Sequence, residues 1–326
     1  MSSSTRRAPR SSAPVPDTTA VGTFDLQVNG YGGVDFNQDG LTAEDLHRAC
    51  AALRADGADG ILATIITEAS AVMAARIARI AALREADPLV REMVAGIHVE
   101  GPFLSPRDGF RGAHPADAIC PADVAVADRL LEAGNGLVRL ITLAPEQDPG
   151  SRVVRHLARQ GVAVAAGHTD ASLDQLQEAL DAGLTLFTHL GNGCPGLLPR
   201  HDNIIERALS LRDHLWICFI ADGVHIPFFA LRNYLDLIGP GGRVIATTDA
   251  MAAAGLGPGL YRLGRWEVRV GEDSAARSPD GSHLVGSAVS IPRMRENLSG
   301  PLGLDDTAVA ALTDAHPRRA LGLSPS

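Results

Sequence analysis

The sequence has no lysine; all 29 basic residues among its 326 are arginine. Schiff-base aldolases, pyridoxal enzymes and P-loop NTPases each depend on a particular lysine, so those chemistries are excluded. A two-metal hydrolase bridged by a carboxylated lysine is excluded with them. Cysteine is scarce too. Cys50, Cys120, Cys194 and Cys218 are widely spaced and form no CxxC pair, so a disulfide-built scaffold is ruled out. No apolar run approaches the ~20 residues of a membrane span. Positive charge is not in excess: the formal net charge is −9, which speaks against nucleic acid as a partner. No GxGxxG opens a helix after the first apolar run, which disfavours a doubly wound dinucleotide fold.

Hydrophobic residues make up 45% of the chain, enough for a sizeable core without staples. Residues 1–20 are rich in Ser, Pro and Arg and read as a disordered tail. Arg6-Arg7 is followed by no apolar stretch, so it does not read as a twin-arginine signal. Four reduced thiols in a cytoplasmic protein, with no membrane partner, are the expectation.

From residue 21 onward two textures alternate. Short β-branched runs recur at Phe24–Val28, Ile61–Ile66, Val94–Val99, Val138–Leu143, Val162–Ala166, Leu184–Phe187, Leu215–Ile220 and Val244–Thr247. Between them lie helical spacings, among them Ala43–Ala55, Ala71–Arg84, Val124–Glu132 and Leu173–Ala182. Eight strands spaced by roughly 31 residues predict an α/β fold, a (β/α)8 TIM barrel, over 21–258 and 286–326. The stretch Tyr261-Arg-Leu-Gly-Arg-Trp266-Glu-Val-Arg-Val270 alternates at period two, predicting a small β appendage over 259–285. Helices over Ile291–Leu298 and Asp306–Ala315 close the chain.

Barrel chemistry sits where strands end. The runs here end in Glu100, His168, His189, Asp222-Gly-Val-His225 and Asp249. Each has an ordinary structural alternative: a strand-end carboxylate, a helix cap, a core histidine, a turn aspartate. A barrel converges them on one cavity, and two imidazoles with a carboxylate are a standard set for a catalytic divalent metal with an open water position. Such donors suit Zn2+, and also Fe2+, Mn2+ or Co2+. The metal would acidify its water and polarise a carbonyl. A free carboxylate must then move the proton, and Asp249 is the best-placed candidate. A metal-free phosphosugar isomerase or epimerase, with Glu100 and Asp249 as a proton-transfer pair, is the alternative on the same barrel. A catalytically silent sugar-binding protein is a third.

The stretch Asp25-Leu-Gln27-Val-Asn29-Gly-Tyr-Gly resembles the first strand of N-acetylglucosamine-6-phosphate deacetylases of the amidohydrolase superfamily. So do His98-Val-Glu100-Gly-Pro, Gly167-His168-Thr-Asp, Thr188-His189-Leu-Gly-Asn192, Ala221-Asp222-Gly-Val-His225 and Thr248-Asp249-Ala, in family order. The resemblance implies Glu100, His168 and His189 as ligands of one metal, Asp249 as acid/base, and His114 as a group polarising the acetyl carbonyl. It further implies Asn192, Gly193 and His225 as sugar contacts. Arg200 would hold a 6-phosphate, in the family often across a homodimer interface. Gln27 and Asn29 stand where many amidohydrolases carry a His-x-His metal pair, which argues for one metal, and they are taken with the substrate-binding residues. Two departures stand out. The family's N-terminal half of a small β-sandwich has no counterpart before Gly22, so the appendage must come mainly from Gly259–Val285. The loop Gly191-Asn-Gly-Cys-Pro195 replaces the usual Tyr-Asn-Ala-Met-Pro, and His201-Asp202 beyond it reads either as further substrate contacts or as a polar turn.

Overall fold

The β-branched runs become eight parallel strands because each is largely buried and rich in apolar residues, with helices packed over the outside of the ring. In the computed structural model, which describes residues 22–239 and 241–324, they are β1 (Thr23–Val28), β2 (Ala58–Ile66), β3 (Val94–Glu100), β4 (Val138–Leu143), β5 (Ala163–Ala166), β6 (Leu186–Phe187), β7 (Trp216–Ile220) and β8 (Val244–Thr247). Consecutive strands pair in parallel from β1 to β8. The ring closes through the parallel bridge of Val28 to Ala250. Buried Asp25 reinforces that seam. Its carboxylate accepts from Thr247 Oγ1 at 2.5 Å, Thr248 Oγ1 at 2.6 Å and Thr248 N at 3.1 Å. This is the (β/α)8 barrel that the spacing predicts. The tail expected over 1–20 lies outside the described residues.

Helix starts follow local chemistry. Thr42 and Asp45 form a reciprocal capping box before Ala43–Ala55, and Ser172 and Gln175 do the same before Leu173–Ala182. Both helices match the expected bounds. A short helix, Pro88–Met93, is additional, started by Asp87 accepting from Leu89 N and Val90 N. A hairpin of Gly30–Tyr31 and Val34–Asp35 is also additional. The last helical stretch runs beyond Ala315: Asp306–Ala310, a π-turn over Ala311–Ala315, then His316–Ala320.

Side chains two residues apart on a strand share a face, so the barrel interior is layered. Leu62, Leu140 and Leu186 contribute to an apolar lower layer, against which Leu321 and Leu323 pack. Two residues further on, Thr64, His98, Thr142 and Thr188 form a hydrogen-bonded polar layer: His98 Nε2 lies 2.8 Å from Thr142 Oγ1, which lies 2.7 Å from Thr188 Oγ1. Two further still, Ile66 and Glu100 reach the rim. Burial drives His98 down to about 4, so its imidazole is neutral there.

The appendage is an antiparallel sheet of β9 (Gly259–Leu263), β10 (Trp266–Val270) and β11 (Ala276–Arg277). Its hairpin turns on Gly264-Arg265, and glycine is required because Gly264 has φ +56°. The turn is pinned to the rim. Gly264 N donates to Asp35 Oδ2 at 2.7 Å, and Arg265 bridges Glu68 and Asp117. Leu263, Val268 and Val285 pack on Ile66 and Met251. Among the described residues no helix is long and apolar enough to cross a membrane, and the four cysteines are unpaired.

Candidate active site

Four strand ends deliver the reactive groups. Glu100 is the last residue of β3, while His168, His189 and Asp249 each stand two residues past β5, β6 and β8. All four are buried. His168, His189 and Asp249 have φ of +49°, +28° and +50°, the left-handed region that costs non-glycine residues of order 1–3 kcal/mol. Such strain concentrates where it aims side chains.

Glu100, His168 and His189 offer ligand atoms that all lie within 4.8 Å of one another. Glu100 Oε1 is 3.2 Å from His168 Nε2 and 2.9 Å from His189 Nε2. His168 Nδ1–H donates to the Phe110 carbonyl at 3.0 Å, which leaves its Nε2 lone pair facing the cluster. Burial alone would raise Glu100, but the His168 and His189 contacts hold it well below the carboxylate range. Two imidazole nitrogens converging on an ionised carboxylate is a donor set that fits a divalent cation.

Asp249 sits beside this cluster. Burial and the Glu100 charge push its carboxyl up to about 7. Asn29 Nδ2 donates to its Oδ1 at 2.7 Å, leaving Oδ2 free for a proton. His114 Nε2 lies 3.2 Å from His168 Nε2 and 3.8 Å from Glu100 Oε2. Burial and the neighbouring His168 hold His114 down at about 3, so it is a neutral imidazole.

These groups line one cavity of about 600 Å3 together with Asn29, Asn192, Gly193 and His225. His225 is fixed by Asp222, whose carboxylate takes its Nδ1 at 2.6 Å and also the Val224 and His225 amides. Asp222 is therefore both a turn residue and a partner of His225. A larger void of about 890 Å3 lies between the barrel and the appendage and holds none of the reactive groups.

Two placements depart from expectation. Gln27 is not among the cavity-lining residues; it is buried and donates Nε2 to Glu100 Oε1 at 3.1 Å, so it braces the carboxylate. Its strand register turns it into the barrel, where a metal-binding histidine would otherwise stand. His283 is the second. With Ser282 it comes from the appendage and lines the cavity, a place that no pattern in the sequence assigns to it. Leu263 and Trp266, opposite each other across the hairpin, line it as well. Cross-strand pairing puts these two on one face, but nothing local says which way the hairpin folds over. Arg200 is exposed on the loop after β6 and does not line its own chain's cavity. Asp202 pairs with Arg207 at 2.5 Å, which makes it part of a helix start.

Gly193 presses its backbone against the cluster. A Cβ there would stand 2.6 Å from His168 Nδ1, at a φ of +61° that side chains avoid. Gly193→Ala is expected to tilt the His168 ring and weaken metal binding by about 10–100-fold with the barrel intact. Titration with a competing chelator, alongside circular dichroism, checks it; unchanged affinity would show that the loop yields instead.

No protein-family model matches the chain. It is 31% identical over 317 residues to an N-acetylglucosamine-6-phosphate deacetylase of Bacillus subtilis, covering 95% of this chain and 77% of that one. It is 30% identical over 304 residues to an N-acetylgalactosamine-6-phosphate deacetylase of Escherichia coli O157:H7, covering 92% and 77%. Among solved structures, a mutant N-acetyl-D-glucosamine-6-phosphate deacetylase from Mycobacterium smegmatis, in complex with N-acetyl-D-glucosamine-6-phosphate, superposes with a TM-score of 0.85 at 30% identity, over 96% of this chain and 83% of that one.

Proposed function

Because the chain belongs to the N-acetylglucosamine-6-phosphate deacetylase family, we propose that it hydrolyses the acetamide of N-acetylglucosamine 6-phosphate or its galactosamine epimer, giving acetate and the amino-sugar phosphate. N-acetylated amino-sugar phosphates are its substrate class. The observation that carries the reading is the meeting of Glu100, His168 and His189 in one cavity with a separately anchored Asp249.

The enzyme is metal-dependent. We assign Glu100, His168 and His189 as the ligands of one divalent ion, with zinc the expected metal for this nitrogen and oxygen set; Fe2+, Mn2+ and Co2+ suit the same donors. Bound there, such an ion acidifies a water and polarises a carbonyl. The remaining chemistry belongs to the chain. Asp249, gripped at Oδ1 by Asn29, takes the water proton on Oδ2 and hands it to the departing amide nitrogen. Neutral His114 offers Nε2–H to the acyl oxygen as charge builds there. His225, with Nδ1 held by Asp222, offers Nε2 to a sugar oxygen, and Asn192 and the Gly193 backbone border the ring. Glu100, engaged by two imidazoles and Gln27, is not left free to pair with Asp249 in an isomerase's proton transfer.

We assign Arg200 to the 6-phosphate of a neighbouring subunit in a homodimer, a reading supported by its exposure and its place outside the lining of its own chain's cavity. Arg200→Ala is expected to raise KM for the phosphorylated sugar by ~10–100-fold, the worth of a charge-assisted hydrogen bond. KM for the unphosphorylated sugar should hardly move. Equal changes in both would remove phosphate reading from this residue. Acetate release from a panel of N-acetylhexosamines, with and without 6-phosphate, tests the whole reading, and no release from any phosphorylated member would overturn it.

A further inference from the structure

Several polar groups of the cavity are used by the reaction, while an apolar patch of its lining has no role assigned to it. Ile66 ends β2 in register with Glu100, so its side chain leaves the sheet on the same face as the reactive carboxylate. Ala113, next to His114, and Leu263, Trp266 and Val285 from the appendage region continue the wall. Ile66, Leu263 and Val285 belong to one packed apolar cluster, with Ala113 and Trp266 against it. A methyl group on Gly264 would touch Ile66 Cδ1 at 3.6 Å, and one on Gly286 would touch Leu263 Cδ2 at 3.4 Å.

An amide carbon carries two arms. The nitrogen arm bears the sugar phosphate, whose hydroxyls and charge need donors such as Asn192 and His225. The acyl arm is the one apolar part of the substrate at the reacting carbon, and an apolar wall beside Glu100 and His114 is where burying it is favourable. We propose that Ile66, Ala113, Leu263, Trp266 and Val285 form the acyl subsite, so that the β appendage sets which N-acyl groups are removed and short straight-chain acyl groups beyond acetyl are accepted. The inference rests on the deacetylation reading and deepens it. The chemistry is unchanged: water adds its oxygen to the acyl carbon, the C–N bond breaks and the nitrogen takes a proton. Propionate or butyrate then leaves in place of acetate, with the same amine.

The test compares kcat/KM for N-acetyl-, N-propionyl- and N-butyryl-glucosamine 6-phosphate in the native enzyme, Trp266→Ala and Leu263→Ala. Inhibition by glucosamine 6-phosphate, which has the sugar but no acyl group, is measured alongside. The native enzyme is expected to cleave the propionyl substrate, and each truncation to raise the butyryl-to-acetyl ratio about tenfold or more, the scale on which apolar pockets read one methylene. The inhibition constant should stay put. Ratios taken within one preparation do not depend on how much of a variant folds. Unchanged ratios in both variants would overturn the proposal. So would a loss of inhibitor affinity matching the loss for every substrate, because Trp266 would then be stacking on the sugar. Absence of acetate release from the parent substrate would instead overturn the deacetylation reading, and this one with it.

Discussion

Asp249→Asn is expected to retain its metal and lose turnover by about 10^3–10^4-fold, because one side chain serves first as base and then as acid. Asparagine keeps the size of the group and can still meet Asn29 with its amide oxygen, so the pocket should stand. It also tolerates the left-handed backbone at this position, φ +50°, better than most residues. Metal content by elemental analysis and kcat on the acetylated sugar phosphate form the check. Near-normal turnover would mean that the proton travels by another route.

His168→Asn should fail differently. Its loss removes one of the two imidazoles facing Glu100 and leaves a buried carboxylate with one partner fewer. About one equivalent of divalent ion in the native protein should fall to near none after dialysis, and activity should fall with it. Heat stability gives a second readout. A cation that binds only the folded chain stabilises it by about 2.7 kcal/mol at a hundredfold excess over Kd. Chelation should therefore lower the native Tm by several degrees and leave the variant's Tm unmoved. A variant that still holds metal at full occupancy would show that His114, 3.2 Å from His168, or another group takes the vacated place.

Much of the architecture was legible because it rests on short-range patterns. β4 and β8, and the helices Ala43–Ala55 and Leu173–Ala182, lie where the apolar runs and capping residues put them. The gathering of Glu100, His168 and His189 was legible for a topological reason: strand ends of a barrel share one mouth, whatever their separation along the chain. The hydrogen bond from Gln27 to Glu100 was not legible because it depends on which way a bulged β1 turns each side chain, and register shifts lie within that strand's pairing. His283, Leu263 and Trp266 were missed as cavity residues because their location depends on how a hairpin leans. That lean is set by the Gly264–Asp35 and Arg265–Glu68–Asp117 contacts, which span more than a hundred residues. The helix Pro88–Met93 carried a readable Asp-Pro start, but it is only six residues long.

The unusual backbone at His168, His189 and Asp249 bears on protein engineering. A campaign that ranks substitutions by conformational comfort would nominate glycine at all three, since each swap relieves of order 1 kcal/mol or more. Every such gain in thermostability would remove a side chain on which the proposed reaction depends. Hardening this enzyme therefore means improving its helices and surface and leaving these three addresses uncomfortable.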